Sequence, residues 1–307
     1  MADSSYPSIS VVVPSYNQGQ FLEETILSVI GQQYPNLELI LIDGGSTDNT
    51  LEIIEKYSKH ISYWHSKKDK GQGDAINQGM SVSSGDVVCW LNSDDMYLPG
   101  TLLDIGIRFK GRTEGCYLIY GGAIELGHSF ENAFSQVQPS EAFDAMKLTY
   151  WDLIVQPSSF WTRKLWKETG DINIAYNYVL DWDWFIRASK FTSFEYVRKV
   201  YSIYRFHPHH KSGSGGIERR REIFEIVEKY SSDYWINLYT EVQEKYDSIV
   251  KILKMLHALR LPRRNVAFLP WFFPGLRRKL KRIQDLYMVL NMYQPDLFYL
   301  YRNMLAK

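Results

Sequence analysis

Residues 87–95 read VVCWLNSDD, and this stretch decides the fold. Its five apolar residues predict a buried strand, and the change to NSDD at 92–95 marks the carboxyl end of that strand. Asp94 and Asp95 are adjacent carboxylates, which repel each other and lose hydration at the tip of a buried strand. Because a bound cation would offset that cost, the stretch predicts a strand followed by a cation site.

Three apolar runs before this stretch predict further strands, with helical patterns between them. They are ISVVVPSYN at 9–17, LELILIDGG at 37–45 and ISYWHS at 61–66. Strands that alternate with helices across short connections predict an α/β protein with a parallel sheet and helices on both faces. In such sheets ligands bind beyond the carboxyl ends of the strands. These ends carry PSYN, DGG and NSDD, so the three polar clusters are predicted to form one site.

Three ordered motifs carry a resemblance to a known family. They are VVVPSYNQGQFLEETILSVIGQQYPNLELILIDGGSTDNT at 11–50, KGQGDAINQGMSVSSGDVVCWLNSDD at 70–95 and VLDWDWFIRAS at 179–189. Their order and spacing resemble the inverting family 2 nucleotide-sugar glycosyltransferases, which have the GT-A fold. The resemblance implies an α/β fold with a Rossmann-like mixed sheet flanked by helices, followed here by a helical C-terminal extension.

The resemblance implies nucleotide-binding roles for four residues. Pro14 and Tyr16 fall where the first loop of the family meets the nucleotide base. Asp43 falls where a carboxylate contacts uracil or ribose, although a tight turn alone would also explain Asp43 before two glycines. Gly71 begins the segment that closes over the donor in relatives.

The resemblance also implies a metal site. Asn92-Ser93-Asp94 occupies the DxD position of the family, which implies that Asp94 binds Mg²⁺ or Mn²⁺ bridged to a diphosphate. Hard cations prefer carboxylate and phosphate oxygens, and the charge of the metal assists departure of the diphosphate. Asn92 stands where Asp is common; its amide oxygen adds no charge but could ligate the metal or reach the ribose, and it is assigned here to nucleotide binding. A helix cap is the alternative explanation of Asp94 and Asp95, and His207 is a candidate metal ligand.

LDWDWFIR, residues 180–187, is expected to carry the general base. In relatives an acid pair, an aromatic residue and a later Arg occupy this place, and Asp181 matches the base. An inverting transfer needs a base that deprotonates the acceptor hydroxyl as it attacks the anomeric carbon. Leu180 replaces one acid of the usual pair, and Asp183 is the alternative base.

The acceptor side and a histidine-rich loop give weaker predictions. Trp182 is the candidate wall of the acceptor site, Gln156 begins the segment that lines the acceptor side in relatives, and the other tryptophans nearby are expected in the core. No QxxRW motif follows Gln156, and no apolar run is long enough to span a bilayer, which argues against a processive synthase. For His209 and His210, an exposed loop competes with a metal site.

Charge is distributed unevenly along a chain whose formal net charge is zero. Residues 251–307 carry 12 Lys and Arg against two Asp, a balance of +10, so the other 250 residues carry −10. LRRKLKRIQDLYMVL at 276–290 has basic residues beside an apolar stripe and follows the aromatic run FLPWFFPG. This pattern predicts one helix on an anionic membrane, although docking on the catalytic domain or on a second subunit is the alternative. The sequence contains no nucleic-acid-binding module, so nucleic acid is not expected as a partner.

These observations predict a GT-A catalytic domain at residues 1–212 and a helical, basic region at 213–307. The expected reaction transfers one sugar from a UDP- or dTDP-sugar to a hydroxyl of a glycan or lipid-linked acceptor. Two cysteines without CxxC spacing and an N-terminus without a signal sequence predict a cytoplasmic protein, peripheral on the inner face of the membrane. The rival is a non-catalytic nucleotide-sugar-binding scaffold, for which Leu180 and Asn92 leave room. A nucleotidyltransferase would need a basic loop after the first strand, and PSYNQGQ supplies none.

Overall fold

The computed structural model describes residues 5–127, 135–138, 141–207, 210–211, 215–258 and 269–293. The chain divides into two compact units, Met1–Ala145 with Leu153–His207, and Met146–Asp152 with Pro208–Lys307. The domain boundary predicted at residue 212 lies outside the described residues, so the predicted limits stay a prediction.

In the described residues of the first unit, nine strands form one sheet. The strands are β1 (Ile9–Ser15), β2 (Leu37–Asp43), β3 (Tyr63–Ser66), β4 (Val87–Trp90), β5 (Met96–Tyr97), β6 (Leu118–Gly127), β7 (Ser135–Gln138), β8 (Ser159–Thr162) and β9 (Glu195–Phe206). The helices are α1 (Gly19–Ile30), α2 (Thr50–Tyr57), α3 (Gln72–Val82), α4 (Thr101–Phe109), α6 (Arg163–Thr169) and α7 (Leu180–Ala188), with α5 (Ala145–Leu148) at the limit of the unit and 3₁₀ turns at Ser58–His60 and Gln156–Ser158.

The sheet is mixed, with the order β3-β2-β1-β4-β8-β6-β9-β5 and with β7 paired to β6. Strands β1 to β4 pair in parallel, as the alternation of strands and helices predicts. Strand β8 pairs antiparallel with β4 and β6, while β6 and β9 are parallel. The predicted α/β architecture, a mixed sheet flanked by helices, is therefore confirmed.

Strand β1 continues one residue beyond Pro14, where the sequence predicted its end. The carbonyl of Val12 accepts a hydrogen bond from the Leu91 amide on β4's side, and the carbonyl of Ser15 accepts one from the Gly44 amide on β2's side. Because backbone groups alternate sides along a strand, Pro14 faces β4 beyond the last pair of that ladder. The missing N–H of Pro14 therefore breaks no ladder bond.

Helix α3 lies directly on β1 through Gly79. A Cβ at this position would stand 2.3 Å from Val12 Cγ1 and 3.3 Å from Ile42 Cγ1. We therefore expect Gly79→Ala to lower the free energy of unfolding by about 1–3 kcal/mol through overpacking, although Ala has the higher helix propensity. Urea denaturation would measure this, with Ser81→Ala on the exposed face of α3 as the control. Equal stability of Gly79→Ala and the wild-type protein would contradict this packing.

An aromatic cluster forms the core beneath β4 and β8. The rings of Trp90 and Trp161 meet edge to face with centroids 5.2 Å apart, and Trp184 lies 4.7 Å from Trp161. Trp166 is also buried, whereas Trp151 is half-buried. The prediction that most of these tryptophans belong to the core is confirmed.

The second unit is helical in its described residues. Its helices are α8 (Gly216–Tyr230), α9 (Asp233–Glu244), α10 (Tyr246–Ala258), α11 (Leu269–Phe272), α12 (Pro274–Lys279) and α13 (Ile283–Tyr293). Helix α9 contacts α8, α12 and α13, and Trp235 of α9 stacks on Tyr150 with ring centroids 3.8 Å apart. None of the helices in the described part of the chain has the length and apolar character needed to cross a bilayer.

The single basic helix predicted across residues 276–290 is wrong, because the chain leaves the helical conformation between α12 and α13. The hydroxyl of Tyr234 accepts a hydrogen bond from the Lys281 amide at 3.1 Å and donates one to Asp285 Oδ2 at 2.6 Å. These bonds hold the break in place. The prediction of helix beyond residue 293 falls outside the described residues.

Candidate functional site

Hydrogen bonds join the polar clusters that follow the strands. The Asn17 amide donates to Ser46 Oγ at 2.7 Å, and Asn17 Oδ1 accepts from the Thr47 amide at 2.8 Å, which ties the loop after β1 to the loop after β2. Gln72 Nε2, at the start of α3, donates to Asn92 Oδ1 at 2.7 Å. Since β2, β1 and β4 are neighbours in the sheet, the three clusters occupy one sheet edge.

The carboxylate of Asp43 is buried and holds the turn that follows β2. Its Oδ2 accepts hydrogen bonds from the amides of Gly45 and Ser46, at 3.1 and 2.9 Å, and from Ser66 Oγ at 2.5 Å. These bonds agree with the alternative of a turn residue. The predicted contact of Asp43 with a base or ribose stays a prediction.

The open part of this edge lies around Tyr16 and Gly71. The Tyr16 side chain is 61% exposed, whereas Pro14 is buried in β1. Gly71 begins α3 with φ of 108°, a left-handed conformation that favours glycine, and no atom lies within 4 Å of a Cβ built there. The buried hydroxyl of Ser15 has no hydrogen-bond partner among the described residues. The exposed Tyr16 ring, the open space at Gly71 and the Ser15 hydroxyl, which is unpaired among the described residues, are therefore candidate ligand contacts at the strand ends.

Asp94 and His207 lie together at the end of β4. His207 Nε2 is 2.9 Å from Asp94 Oδ2, and the imidazole is buried while the carboxylate is partly exposed. Within the described part of the chain, no group of three or more His, Cys, Asp or Glu side chains could hold a metal ion by itself. One carboxylate and one imidazole fit a divalent cation whose remaining ligands are phosphate oxygens and water. The metal-binding roles of both residues stay predictions.

Asp95 is not a second open carboxylate, and the two acids do not cap a helix. Helix α4 begins only at Thr101, with β5 in between. Asp95 Oδ1 accepts a hydrogen bond from the Arg205 amide at 3.0 Å, and the side chain is fully buried. Burial first, and then the charge of Asp94, raise the pKa of Asp95 well above its usual range. The helix-cap alternative is therefore wrong, and Asp95 supports the loop from inside.

Arg205 joins the Asp94 loop to α1, a role that no motif in the sequence predicts. Its Nε donates to the Asp94 carbonyl at 3.0 Å, and its Nη2 donates to Glu24 Oε2 at 2.5 Å. The guanidinium lies over the Phe21 ring at 4.7 Å, and the His207 ring packs on the same Phe21 with centroids 4.7 Å apart. The only signal in the sequence is a charged residue next to Phe206 in the otherwise uncharged end of β9.

Asp181 and Asp183 both lie in the first turn of α7, but their surroundings differ. Asp181 is half-buried, and its Oδ1 accepts a hydrogen bond from the Trp182 amide at 2.9 Å. Asp183 is 1% exposed, and its Oδ2 accepts from Arg187 Nε at 2.8 Å. Arg187 also donates to two backbone carbonyls. Asp183 is thus held in a structural ion pair, whereas Asp181 is the more accessible carboxylate.

The remaining predicted residues lie deeper than expected. Gln156 is buried, its Nε2 donates to the Trp90 carbonyl at 2.9 Å, and its Oε1 has no hydrogen-bond partner in the described chain. Trp182 is 1% exposed and offers no open face to a sugar, which does not support the predicted acceptor-side role. That role stays a prediction. His210 is buried, so the exposed-loop alternative is wrong for it, and His209 lies outside the described residues.

Comparison with known proteins decides the family. The model of glycosyl transferase family 2 matches residues 10–111. A PGL/p-HBAD biosynthesis glycosyltransferase of Mycobacterium bovis is 31% identical over 186 residues, which cover 59% of this chain and 70% of that protein. The chain belongs to glycosyltransferase family 2. An uncharacterized glycosyltransferase of Rickettsia conorii is 28% identical over 225 residues, 70% of this chain and 36% of that protein.

Solved structures of glycosyltransferases share the fold of this family 2 member. S. aureus TarS 1–349 in complex with UDP-GlcNAc superposes with a TM-score of 0.60 at 17% identity, covering 93% of this chain and 91% of that one. The mannosyltransferase PcManGT of Pyrobaculum calidifontis, in complex with GDP-Man and Mn²⁺, gives a TM-score of 0.57 at 13% identity, with coverages of 94% and 88%. The predicted GT-A fold is confirmed.

If Asp94 binds Mn²⁺ as the sequence predicts, Arg205→Gln is expected to weaken that binding about tenfold, because a glutamine cannot hold both the Asp94 carbonyl and Glu24. Calorimetric titration with MnCl₂ would measure the affinity. Arg108→Gln is the control, since Arg108 pairs with Asp104 at 2.7 Å within α4. Unchanged Mn²⁺ affinity in a folded Arg205→Gln protein would show that the Asp94 loop holds its shape without this clamp.

Proposed function

We propose that this glycosyltransferase moves a single sugar from a nucleotide-diphosphate sugar to a hydroxyl of a glycan or lipid-linked acceptor. The transfer inverts the anomeric carbon and uses Mg²⁺ or Mn²⁺. The observation that carries the proposal is the 2.9 Å contact of Asp94 with His207 at the end of β4, on the sheet edge that also carries Tyr16 and Asn92.

The donor nucleotide is proposed to occupy the loops after β1 and β2. The exposed ring of Tyr16 offers a flat apolar face to a base, and Pro14 fixes the backbone beneath it. Asp43 keeps the second loop in shape and is the proposed contact for uracil or ribose, which favours a UDP- or dTDP-sugar. The open space at Gly71 supports entry of the donor beside α3.

The diphosphate and metal are proposed to lie against Asp94. Asp94 and His207 would hold the metal, and Asn92 would orient the nucleotide through the amide group that Gln72 already fixes. When bound, the metal offsets the negative charge that grows on the departing diphosphate. Only two protein ligands are then needed, because phosphate oxygens and water complete the shell around Mg²⁺ or Mn²⁺.

Asp181 is proposed as the general base. It would accept the proton of the acceptor hydroxyl as the hydroxyl oxygen attacks the anomeric carbon from the side opposite the diphosphate. The accessibility of Asp181 supports this role, and the burial of Asp183 against Arg187 argues against the alternative base. Gln156 Oε1, which has no hydrogen-bond partner in the described chain, is the proposed acceptor-side contact for a sugar hydroxyl.

The test is turnover of a panel of sugar nucleotides by the intact protein with Mn²⁺, followed by proton NMR of the product. A product with the anomeric configuration opposite to that of the donor is expected. A retained configuration would rule out the inverting mechanism. No transfer with any donor, although a nucleotide binds, would favour the scaffold alternative that Leu180 and Asn92 leave open.

Lipid-linked or polysaccharide-type acceptors would place the enzyme in the cytoplasm, at the inner face of the membrane. The basic C-terminal residues, with a balance of +10 over residues 251–307, support this location.

A further inference from the structure

The second unit carries an exposed patch of aromatic and basic side chains around α11 and α12. Trp271 is 70% exposed and Phe272 is 55% exposed, although both are large apolar residues. Arg277, Arg278 and Lys281 are exposed beside them in the sequence. We call these five residues the tail patch.

The apolar side chains of the basic segment 276–290 are largely covered by protein. Those that are buried in the second unit are Leu276, Leu286, Val289 and Leu290, and those that are half-buried are Leu280, Ile283 and Tyr287. These side chains already have protein neighbours in the contacts of α9 with α12 and α13. A membrane contact must therefore use side chains that remain outside, and Trp271 and Phe272 are the large apolar ones in this segment.

The basic residues of the tail patch keep their charge available. Lys279 pairs with Glu241 at 2.9 Å, and Arg282 pairs with Asp285 at 3.1 Å. In contrast, Arg277, Arg278 and Lys281 form no ion pair with any described carboxylate.

Two of these three cations lie over aromatic rings. Arg277 lies 4.8 Å from the Trp271 ring centroid and Lys281 lies 4.3 Å from that of Tyr234. Arg277 and the Trp271 indole are thus presented side by side, which is the combination that suits the boundary between lipid headgroups and acyl chains.

We propose that the tail patch binds the surface of an anionic lipid bilayer, with Trp271 and Phe272 in the headgroup region and the three cations on lipid phosphates. The charge of the patch is complementary to anionic headgroups, and a bilayer accommodates exposed aromatics without a shaped pocket. The inference rests on the proposed function in one respect: it names the surface that brings the enzyme to membrane-borne acceptors.

The experiment is co-sedimentation of the intact protein with two kinds of vesicle, phosphatidylcholine alone and a mixture of phosphatidylcholine with phosphatidylglycerol. The wild-type protein is expected to bind the anionic vesicles at least about tenfold more tightly. Each neutralised cation is expected to weaken binding about fivefold, so Arg277→Gln/Arg278→Gln/Lys281→Gln should weaken it about a hundredfold. Trp271→Ser/Phe272→Ser should weaken it about tenfold.

Matched controls carry the same changes at exposed positions away from the tail patch. Lys59→Gln/Lys164→Gln/Lys167→Gln removes three exposed lysines of the first unit, and Ile217→Ser removes a side chain that is as exposed as Trp271. Both controls should bind the anionic vesicles as the wild-type protein does.

Three outcomes would overturn the proposal. They are the absence of a preference for anionic vesicles, wild-type binding by either patch variant, and a change in oligomeric state of the patch variants, which would make the patch a subunit interface.

Nucleotide binding without lipid, measured on the same variants, should equal that of the wild-type protein. If the protein binds anionic vesicles but no nucleotide, the proposed function is contradicted and the proposed membrane contact of the tail patch is not. If the protein binds nucleotide but not anionic vesicles, only the membrane contact of the tail patch is contradicted.

Discussion

Replacing Asp181 with Asn is expected to lower kcat about a thousandfold and to leave the melting temperature unchanged. An amide cannot accept the proton of the acceptor hydroxyl, and general-base contributions are typically of this order. The side chain is half-buried, and an Asn side chain keeps the oxygen that accepts the hydrogen bond of the Trp182 amide, so we expect the fold to persist. Initial rates with saturating donor and acceptor, together with a thermal melt, would measure both quantities.

Asp183→Asn is the matched variant two residues further along α7, and the opposite pattern is expected. Asp183 is buried and pairs with Arg187 at 2.8 Å, so removing its charge should lower the free energy of unfolding by about 2–3 kcal/mol. Turnover by the fraction that stays folded should remain within about threefold of wild type. A loss of kcat in Asp183→Asn with normal turnover in Asp181→Asn would reverse the assignment of the base.

Asp94→Ala is expected to lower the Mn²⁺-dependent affinity for the donor nucleotide by at least about a hundredfold. The substitution removes the one open carboxylate at the end of β4, and the buried Asp95 cannot replace it because the amide of Arg205 already occupies its Oδ1. Nucleotide binding without metal should change little. Calorimetric titration with nucleotide, once in the presence of Mn²⁺ and once in the presence of a chelator, would measure the affinities with and without metal.

The control for Asp94 lies at the other end of the same strand. Asp86 is exposed and precedes β4, where its Oδ2 accepts hydrogen bonds from Ser8. Asp86→Ala should therefore leave Mn²⁺-dependent binding unchanged. If both variants lose affinity equally, the effect of Asp94→Ala would reflect a general loss of stability of the sheet and not the removal of a metal ligand.

The sequence predicts the first half of the fold because its strands are continuous apolar runs that end in polar clusters. This pattern places Asp43 and Asp94 on one edge once the strands pair in parallel, and it also puts His207 after the last strand. These features are local, so a single sequence carries them.

Other features depend on contacts between residues that are distant in the sequence. Arg205 of β9 donates hydrogen bonds to Asp94 and Asp95, which follow β4. No local sequence pattern indicates these contacts. The break between α12 and α13 depends on Tyr234 of α9, so periodicity alone predicts one helix. The burial of Trp182 is likewise decided by packing.

The central claim, a metal-dependent nucleotide-sugar site, is tested most directly by calorimetric titration of the intact protein with UDP, dTDP and GDP, with and without Mn²⁺. We expect UDP or dTDP to bind much more tightly when Mn²⁺ is present than when it is absent, with one site per chain. If none of the three nucleotides binds a folded sample, or if binding is equally tight without metal, the proposed metal-dependent donor site is contradicted.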